Sequence, residues 1–373
     1  MERVLINELK ENESSKISGW ADVIRDTKYM VFVILKDRSG SIQVSIDKEK
    51  DKEIVEKLSG ILANSVLSFT GKMVKSEYVK QGGKEFLPET VEILSSADAI
   101  PIDSSANIDT RLDYRWIDLR SEKNNLMFQV QTAFVTGMRE FLIKEDFTEI
   151  HTPKLIGAAS ESGSDVFEVK YFDRKAYLAQ SPQFYKQMAM ASGIERIFEV
   201  APAFRAENSN TNRHTTEFTS FDLEFSYIDS YEDVMDMEER LLVAGLEKVK
   251  EKYEDKIKEL FGTEVIVPKR PFPRINLQDL YKELESRYGY NIPEHDIGDM
   301  NAEAEKLTSK YAMEEFGHEF IFVTGFTKTK RAFYHMRKND IPEGYDLIWR
   351  GTEITTGAQR EHRYEILKQQ AEE

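Results

Sequence analysis

The chain contains no cysteine in 373 residues, so disulfides, thiolate metal sites and cysteine nucleophiles are excluded, while the compartment is left open. Histidine is scarce as well. A zinc site would have to be assembled from six scattered histidines and carboxylates, and no HExxH spacing occurs. No apolar run approaches the roughly 20 residues of a membrane helix. The start of the chain, "MERVLINELKENESSK", lacks the basic-then-apolar order of a secretory signal. A cytoplasmic protein with no use for a membrane is the expectation. Basic residues are outnumbered, 51 against 67 acidic, and the net charge of −16 argues against a surface coated for nonspecific nucleic-acid binding. A local groove can still be basic on such a protein. GxxxxGK[ST], GxGxxG and GxSxG are all missing, so an ATP site here is not a P-loop, and neither a dinucleotide turn nor a serine elbow is present. There are no internal repeats and no low-complexity tracts.

What is present is 40% hydrophobic and 11% aromatic residues, enough for two domains with substantial cores. Residues 1–100 carry short strand-like runs, "KISGWADVIRD", "KYMVFVILKDRSG", "SIQVSID", "SVLSFTGKMVK" and "FLPETVEIL", with turn signals at Asp37-Arg38-Ser39-Gly40 and Gly82-Gly83. One helical stretch near "KEKDKEIVEKLSG" interrupts them. Five strands and one helix predict a small closed barrel of the OB type, a fold that binds single-stranded nucleic acid through strand-face aromatic and polar groups. Phe32 and Gln43 are the candidate nucleic-acid contacts there, with core packing the other reading of Phe32. Residues 101–120 read as a hinge: "SSADAIPIDSSANIDT" is rich in Ser, Asp and Ala and poor in bulky residues. Residues 121–373 form the second domain. It opens with a helix over about 122–145, where Leu126, Val130, Phe134, Met138 and Leu142 recur every fourth residue. A second amphipathic helix is predicted over about 231–260.

The stretch "FRAENSNTNRHTTEFTSFDLEFSY", residues 204–227, concentrates charge. From 218 to 227 it alternates, with Thr219, Phe221, Leu223, Phe225 and Tyr227 on one side and Phe218, Ser220, Asp222, Glu224 and Ser226 on the other. With "IFEVAPAFRAE" before it and ten turn-forming or small polar residues between, a long-looped antiparallel hairpin is predicted. Its polar face is either simply wet or a ligand surface. Arg205, Arg213 and His214 suit polyphosphate oxygens, since arginine makes paired charge-assisted hydrogen bonds to them, and Phe218 offers a ring for stacking. In "YLAQSPQFYKQ", Ser181 is a plausible N-cap before Pro182, and Gln183 and Lys186 share a helical face. Lys186 is either a carboxylate partner or a solvated helix lysine. In "YDLIWRGTEITTGAQREHRYE", a hairpin bent at Arg350-Gly351 would bring Asp346 and Glu353 together, with no obvious basic partner between them, as a divalent-ion site or as solvated acids. Gly351 and Gly357 would allow a ligand close to the backbone.

These three stretches together closely resemble class II aminoacyl-tRNA synthetases, in particular the aspartyl branch of archaeal and eukaryotic type, in family order from about residue 3 to residue 370. The resemblance implies an α+β protein: an N-terminal OB-type β-barrel that binds the anticodon, then a class II synthetase antiparallel sheet flanked by helices. The stretch from Tyr227 to "FIFVTGF" is too short for the insertion of the bacterial form. By resemblance, Arg205 is the catalytic residue on the α-phosphate of ATP, Glu207 positions the adenine end, Arg213 and His214 grip the terminal phosphates, and Phe218 stacks on adenine. Asp346 and Glu353 hold Mg2+, Glu353 also bordering the ATP. Lys186 and Arg360 face the aspartate side chain. Ser181, Gln183 and Asp222 surround its ammonium, Thr356 also lines the substrate site, and Glu161 belongs to a loop closing over it. The segment "TEIHTP" matches the family's dimer motif and implies a homodimer. The partners implied are aspartate, ATP and tRNA(Asp), with tRNA(Asn) left open because Asp22 stands where relatives read the third anticodon base. The chain stops at Glu373 without the family's third motif, a Gly-rich strand and helix carrying an ATP-clamping arginine, so the catalytic domain is expected to be C-terminally incomplete. The rival readings are an asparaginyl-tRNA synthetase, whose hairpin shares "FRAENSNT", and a non-catalytic relative that binds tRNA.

Overall fold

The computed structural model describes residues 2–79, 82–103, 105–160, 166–207 and 215–373, and divides into two compact units, Met1–Asn124 and Asn125–Glu373. In the first unit, β1 (Ser14–Asp26), β2 (Met30–Lys36), β3 (Ser41–Asp47), β4 (Val66–Lys75) and β5 (Lys84–Ser95) close into a barrel of order β1-β2-β3-β5-β4, with β4 returning to β1. Alternation explains the closure. Val31, Val33 and Leu35 of β2 and Ile42, Val44 and Ile46 of β3 all point inward, joining Ile17, Leu67, Phe69 and Phe86 in one core. The single helix α1 (Lys52–Lys57) lies between β3 and β4 in the sequence, where the helical run was read. Phe32 falls on the outward face, half-buried between Arg25 and Ser45 of the flanking strands, so it is not part of the core. Beyond the barrel the stretch read as a hinge contains two short helices, α2 (Ile108–Asp113) and α3 (Arg115–Asp118). The buried Asp118 carboxylate accepts from both Arg111 and Arg115 and ties them together.

The second unit starts from α4 (Glu122–Lys144), which buries Leu126, Ala133, Gly137, Met138 and Leu142. It leads into β6 (Thr148–Glu149), then β7 (Leu155–Ile156), β8 (Glu168–Tyr171) and β9 (Arg174–Leu178), which form a small sheet of order β7-β9-β8. After α5 (Gln183–Ala191) come the long strands β10 (Arg196–Phe204) and β11 (Glu217–Phe225), antiparallel with Ala203 opposite Phe218 and Glu199 opposite Asp222. The second long helix, α6 (Tyr231–Phe261), starts at a Ser230 capping box and ends at Gly262 in the left-handed conformation. The chain continues through β12 (Arg274–Asn276), α7 (Leu277–Tyr288), α8 (Ala302–Phe316), β13 (Phe320–Thr324), β14 (Arg337–Lys338), β15 (Ile341–Pro342), β16 (Gly344–Trp349), β17 (Thr352–Ala358) and α9 (Tyr364–Glu372).

Helix α6 joins the two main sheets. Met237 and Leu241 pack with Phe147, Phe198 and α4, while Met235 and Leu242 pack with Phe320, Phe322, Tyr345 and Leu347. The sheets, β11-β10-β6 and β12-β13-β16-β17, are therefore held by one helix that is buried on two stripes. The antiparallel pattern holds along β10/β11 and β13/β16/β17 but gives way where β6 joins β10 and β12 joins β13 in parallel. Residues that alternate with the core-facing ones, among them Asp222, Glu224 and Asp346, point to the opposite faces.

Candidate active site

Five side chains from three parts of the sequence meet on the outer face of β11. Lys186, on α5, is 4% exposed, and its Nζ lies 3.0 Å from Asp222 Oδ1 and 3.5 Å from Glu224 Oε2. Gln183, one helical turn earlier, donates from Nε2 to Glu224 Oε2 at 3.2 Å. Arg360, just past β17, donates from Nε to Glu224 Oε1 and from Nη2 to Gln183 Oε1, both at 3.1 Å. Burial pushes the Asp222 and Glu224 carboxyls up, but Lys186 for the first, and Arg360 and Lys186 for the second, bring both below their ordinary values. The result is two cations and two anions joined by hydrogen bonds and ion pairs, Lys186 and Glu224 buried and Asp222 and Arg360 half-buried. Ser181 stands just before α5, where its hydroxyl accepts from Gln183 N–H at 3.2 Å; the helix begins one residue later than read, so Pro182 and not Ser181 holds the N-cap place, without a side-chain capping bond.

The second cluster sits on the β16/β17 hairpin, whose turn residues Arg350 and Gly351 both have positive φ. Thr356 Oγ1 lies 3.0 Å from Asp346 Oδ1 and 2.8 Å from Glu353 Oε1, so one hydroxyl links the two carboxylates. Two features differ from the sequence reading. Asp346 has a basic partner: Arg331, from the loop after β13, donates from Nη2 to Asp346 Oδ2 at 2.6 Å. Pairing across strands hides such a partner from a search along the run itself. Gly357 makes room for protein and not for a ligand, because a Cβ there would stand 2.3 Å from the ring of its cross-strand neighbour Tyr345. Burial and the nearby Glu353 push the Asp346 carboxyl up to about 7 against the pull of Arg331. Among the described residues no group of three or more histidines, cysteines or acids is arranged to hold a metal ion. Two hard carboxylates bridged by a hydroxyl nevertheless fit a magnesium ion that takes its other ligands from phosphates and water.

Arg205 follows β10 directly, and its backbone N–H bonds Thr216 O at 3.0 Å across the hairpin. Its guanidinium lies 5.3 Å from the Phe218 ring centroid, and its Nε is buried with no hydrogen-bond partner. A buried orphan arginine donor is costly unless something supplies an acceptor, and an anion would. Glu207 is half-buried beyond it. Glu161, Arg213 and His214 lie outside the described residues. The structure thus joins Gln183, Lys186, Asp222 and Arg360 directly, and joins Asp346, Glu353 and Thr356 directly. Arg205 and Phe218 make a third pair at the loop end of the same hairpin. A cavity of about 390 Å³ lies at the other end of β10, against Glu145 and Arg196, remote in the strand from Arg205. On the barrel a cavity of about 350 Å³ is lined by Arg25, Gln43 and Tyr78 among others, with Tyr78 97% exposed. Gln43 Nε2 donates to Ser45 Oγ at 3.1 Å beside it.

Three participants escaped the sequence reading as site residues. Glu224 had a signal, since it shares the polar face of β11 with Asp222. Arg331 had none. Glu238, on α6, accepts from Tyr345 Oη at 2.7 Å behind the hairpin, and burial pushes its carboxyl up to about 7. Its signal was an acid three residues after Met235 and four before Leu242, on the apolar stripe of the helix.

Comparison with known proteins agrees with this architecture. The family described as tRNA synthetases class II (D, K and N) matches residues 107–373, and an OB-fold nucleic acid binding domain matches residues 16–94. The aspartate–tRNA(Asp/Asn) ligase of Methanopyrus kandleri is 40% identical over 371 residues, covering 98% of this chain and 84% of that protein. The aspartate–tRNA(Asp) ligase of Pyrococcus abyssi is 38% identical over 383 residues, covering 99% and 85%. Asparaginyl-tRNA synthetase from Pyrococcus horikoshii, solved with asparaginyl-adenylate, superposes with a TM-score of 0.89 at 29% identity, covering 99% of this chain and 86% of that one. With both family models matched in order on a barrel and a two-sheet unit of this design, the chain belongs to the class II tRNA synthetases of the D, K and N group and is an aminoacyl-tRNA synthetase.

Proposed function

We propose that this synthetase is an aspartate–tRNA ligase, which joins aspartate to ATP to form aspartyl-adenylate and passes the aspartyl group to tRNA(Asp). The carrying observation is the buried cluster of Lys186 and Arg360 against Asp222 and Glu224. Its cations are fixed before any ligand arrives, so a side-chain carboxylate meets two oriented donors at little cost in reorganisation. An asparagine side chain would turn an amide N–H2 toward donors and leave one of them unmatched, a mismatch that polar sites reject strongly. The ionised Asp222, with Ser181 and Gln183, would suit the ammonium, and Thr356 would line the substrate site.

The attacking group would be the aspartate α-carboxylate itself, so the chain supplies no covalent intermediate and no general base. Its part would be to hold that carboxylate in line with the α-phosphorus and to stabilise the charge that gathers there. Arg205, with its unused Nε donor, would meet the α-phosphate, Phe218 the adenine, and Glu207, Arg213 and His214 the rest of the nucleotide. Asp346 and Glu353 would hold Mg2+, which when bound neutralises phosphate charge, and Glu161 would close over the substrate. Residues 1–100 would bind the anticodon through Phe32 and Gln43, residues 101–120 form a hinge, and residues 121–373 carry activation. We take the protein to be a cytoplasmic homodimer paired through the segment 148–153, with tRNA(Asn) as a second acceptor to be tested against Asp22. Among the described residues no helix is long and apolar enough to cross a membrane.

The test is ATP–pyrophosphate exchange driven by aspartate, in the wild type and in Arg205→Ala. The variant should lose at least about a hundredfold in exchange, the order found for removing one transition-state donor, while keeping its affinity for tRNA. A folded wild type that binds tRNA(Asp) but drives no exchange would overturn the reading in favour of a tRNA-binding relative.

A further inference from the structure

We infer that Arg331 is the internal counter-ion of the Asp346–Glu353 pair and keeps that pair from holding a divalent ion until nucleotide phosphates arrive. The inference rests on the reading of this pair as the magnesium site. Arg331 Nη2 sits 2.6 Å from Asp346 Oδ2, and the two side chains are 10% and 3% exposed. Its guanidinium lies 3.7 Å from the Phe326 ring centroid, so an aromatic face fixes it from one side. Phe326 is itself 1% exposed, and the arginine has little room to leave.

Counting oxygens shows the consequence. Arg331 occupies Asp346 Oδ2, and the Thr356 hydroxyl stands against both Asp346 Oδ1 and Glu353 Oε1. That hydroxyl carries one proton and donates to one of the two oxygens at a time, and Glu353 Oε2 has no partner among the described residues. The neighbouring acids are each engaged by a backbone amide: Glu305 Oε2 accepts Glu353 N–H at 3.0 Å, and Asp299 Oδ1 accepts Met300 N–H at 2.9 Å. A hydrated magnesium ion gives up water reluctantly, and the few carboxylate oxygens left without a donor beside a fixed guanidinium are a poor exchange for it. Phosphate oxygens change that balance, because they bring both ligands and negative charge. Arg331 is therefore a positioning residue that makes metal and nucleotide arrive together.

The experiment titrates free Mn2+ into the purified protein by electron paramagnetic resonance, with neither ATP nor aspartate present. Wild type should show no saturable site at micromolar Mn2+. Arg331→Gln should gain a site at least about tenfold tighter, since one charge within a few ångströms of a divalent ion has been removed. Adding Glu353→Gln to that variant should abolish the gain, and Arg331→Lys, which keeps the charge, should behave as wild type. If Arg331→Gln does not fold by circular dichroism, Arg331→Met takes its place. Saturable micromolar binding by the wild type would overturn the inference without any variant, and so would a folded Arg331→Gln no tighter than wild type. Aspartate-driven exchange is no part of this readout. Its failure would count against the ligase reading alone, and a wrong Mn2+ result against the role of Arg331 alone.

Discussion

Replacing Lys186 with methionine keeps most of the side-chain volume on α5 and removes the cation that Asp222 and Glu224 share. Lys186 is 5% exposed at its side chain, Asp222 18% and Glu224 9%, so water does little to replace it. Removing one partner of a buried ion pair leaves an uncompensated charge and costs about 3–5 kcal/mol. Glu224 keeps Arg360 and Gln183, so most of the loss falls on Asp222, which among the described residues keeps Ser220 and the more distant Lys154. The sign of the pH dependence follows. In the wild type both carboxyls titrate below their ordinary values, so their contribution is present above the unfolded pKa and lost as the pH falls through the folded one. In Lys186→Met burial acts on Asp222 nearly unopposed and raises it. The deficit should then be larger at about pH 8 than at about pH 5, where protonation relieves the stranded charge. Urea unfolding of wild type and variant at both pH values measures it. A loss below about 1 kcal/mol that is the same at both would mean that Lys186 is an ordinary solvated lysine.

Glu238→Gln preserves the acceptor for Tyr345 but cannot ionise. Because the Glu238 carboxyl is raised from 4.5 to about 7 in the folded protein, wild-type stability should fall as the pH rises through that window, by about 3 kcal/mol for this group. The variant should lack that slope, and parallel urea midpoints for the two proteins from about pH 5 to about pH 8 would refute the assignment. Phe32→Ala and Gln43→Ala should each weaken tRNA(Asp) binding by about 1–3 kcal/mol, the scale of a lost base contact, and leave aspartate-driven exchange unchanged. Filter binding at fixed salt reads the first and exchange the second; unaltered tRNA affinity in both variants would remove the barrel face from the tRNA interface.

Much of the scaffold was legible because periodicity reports burial. The period of two over residues 218–227 separates Phe221, Leu223 and Phe225 from Asp222 and Glu224, and the structure packs the first set, half-buried, against the core under α4 and α6, while Glu224 on the other side is the buried residue of the strand. The fourfold spacing from Leu126 to Leu142 likewise gave α4 within a residue of its end. The barrel followed from five short alternating runs and their turns. Less legible was whatever depends on two distant elements meeting. Glu224 becomes a hub only when Arg360, 136 residues later, folds back onto it. Arg331 lies among lysines in "TKTKRAFYH" with no pattern to mark it, and its pairing with Asp346 exists only once β16 lies beside β13. Gly357 read as a ligand approach because a glycine in a strand signals a close neighbour without saying which, and here the neighbour is Tyr345.

The central claim is that the Lys186–Arg360 pair is a receptor for a side-chain carboxylate, and ATP–pyrophosphate exchange with aspartate and with asparagine, side by side on the wild-type protein, tests it most directly. Exchange should be driven by aspartate, with asparagine at least about a thousandfold poorer, as for sites that reject a ligand by leaving buried polar groups unpaired. Comparable exchange with asparagine, or exchange with asparagine alone, would contradict it.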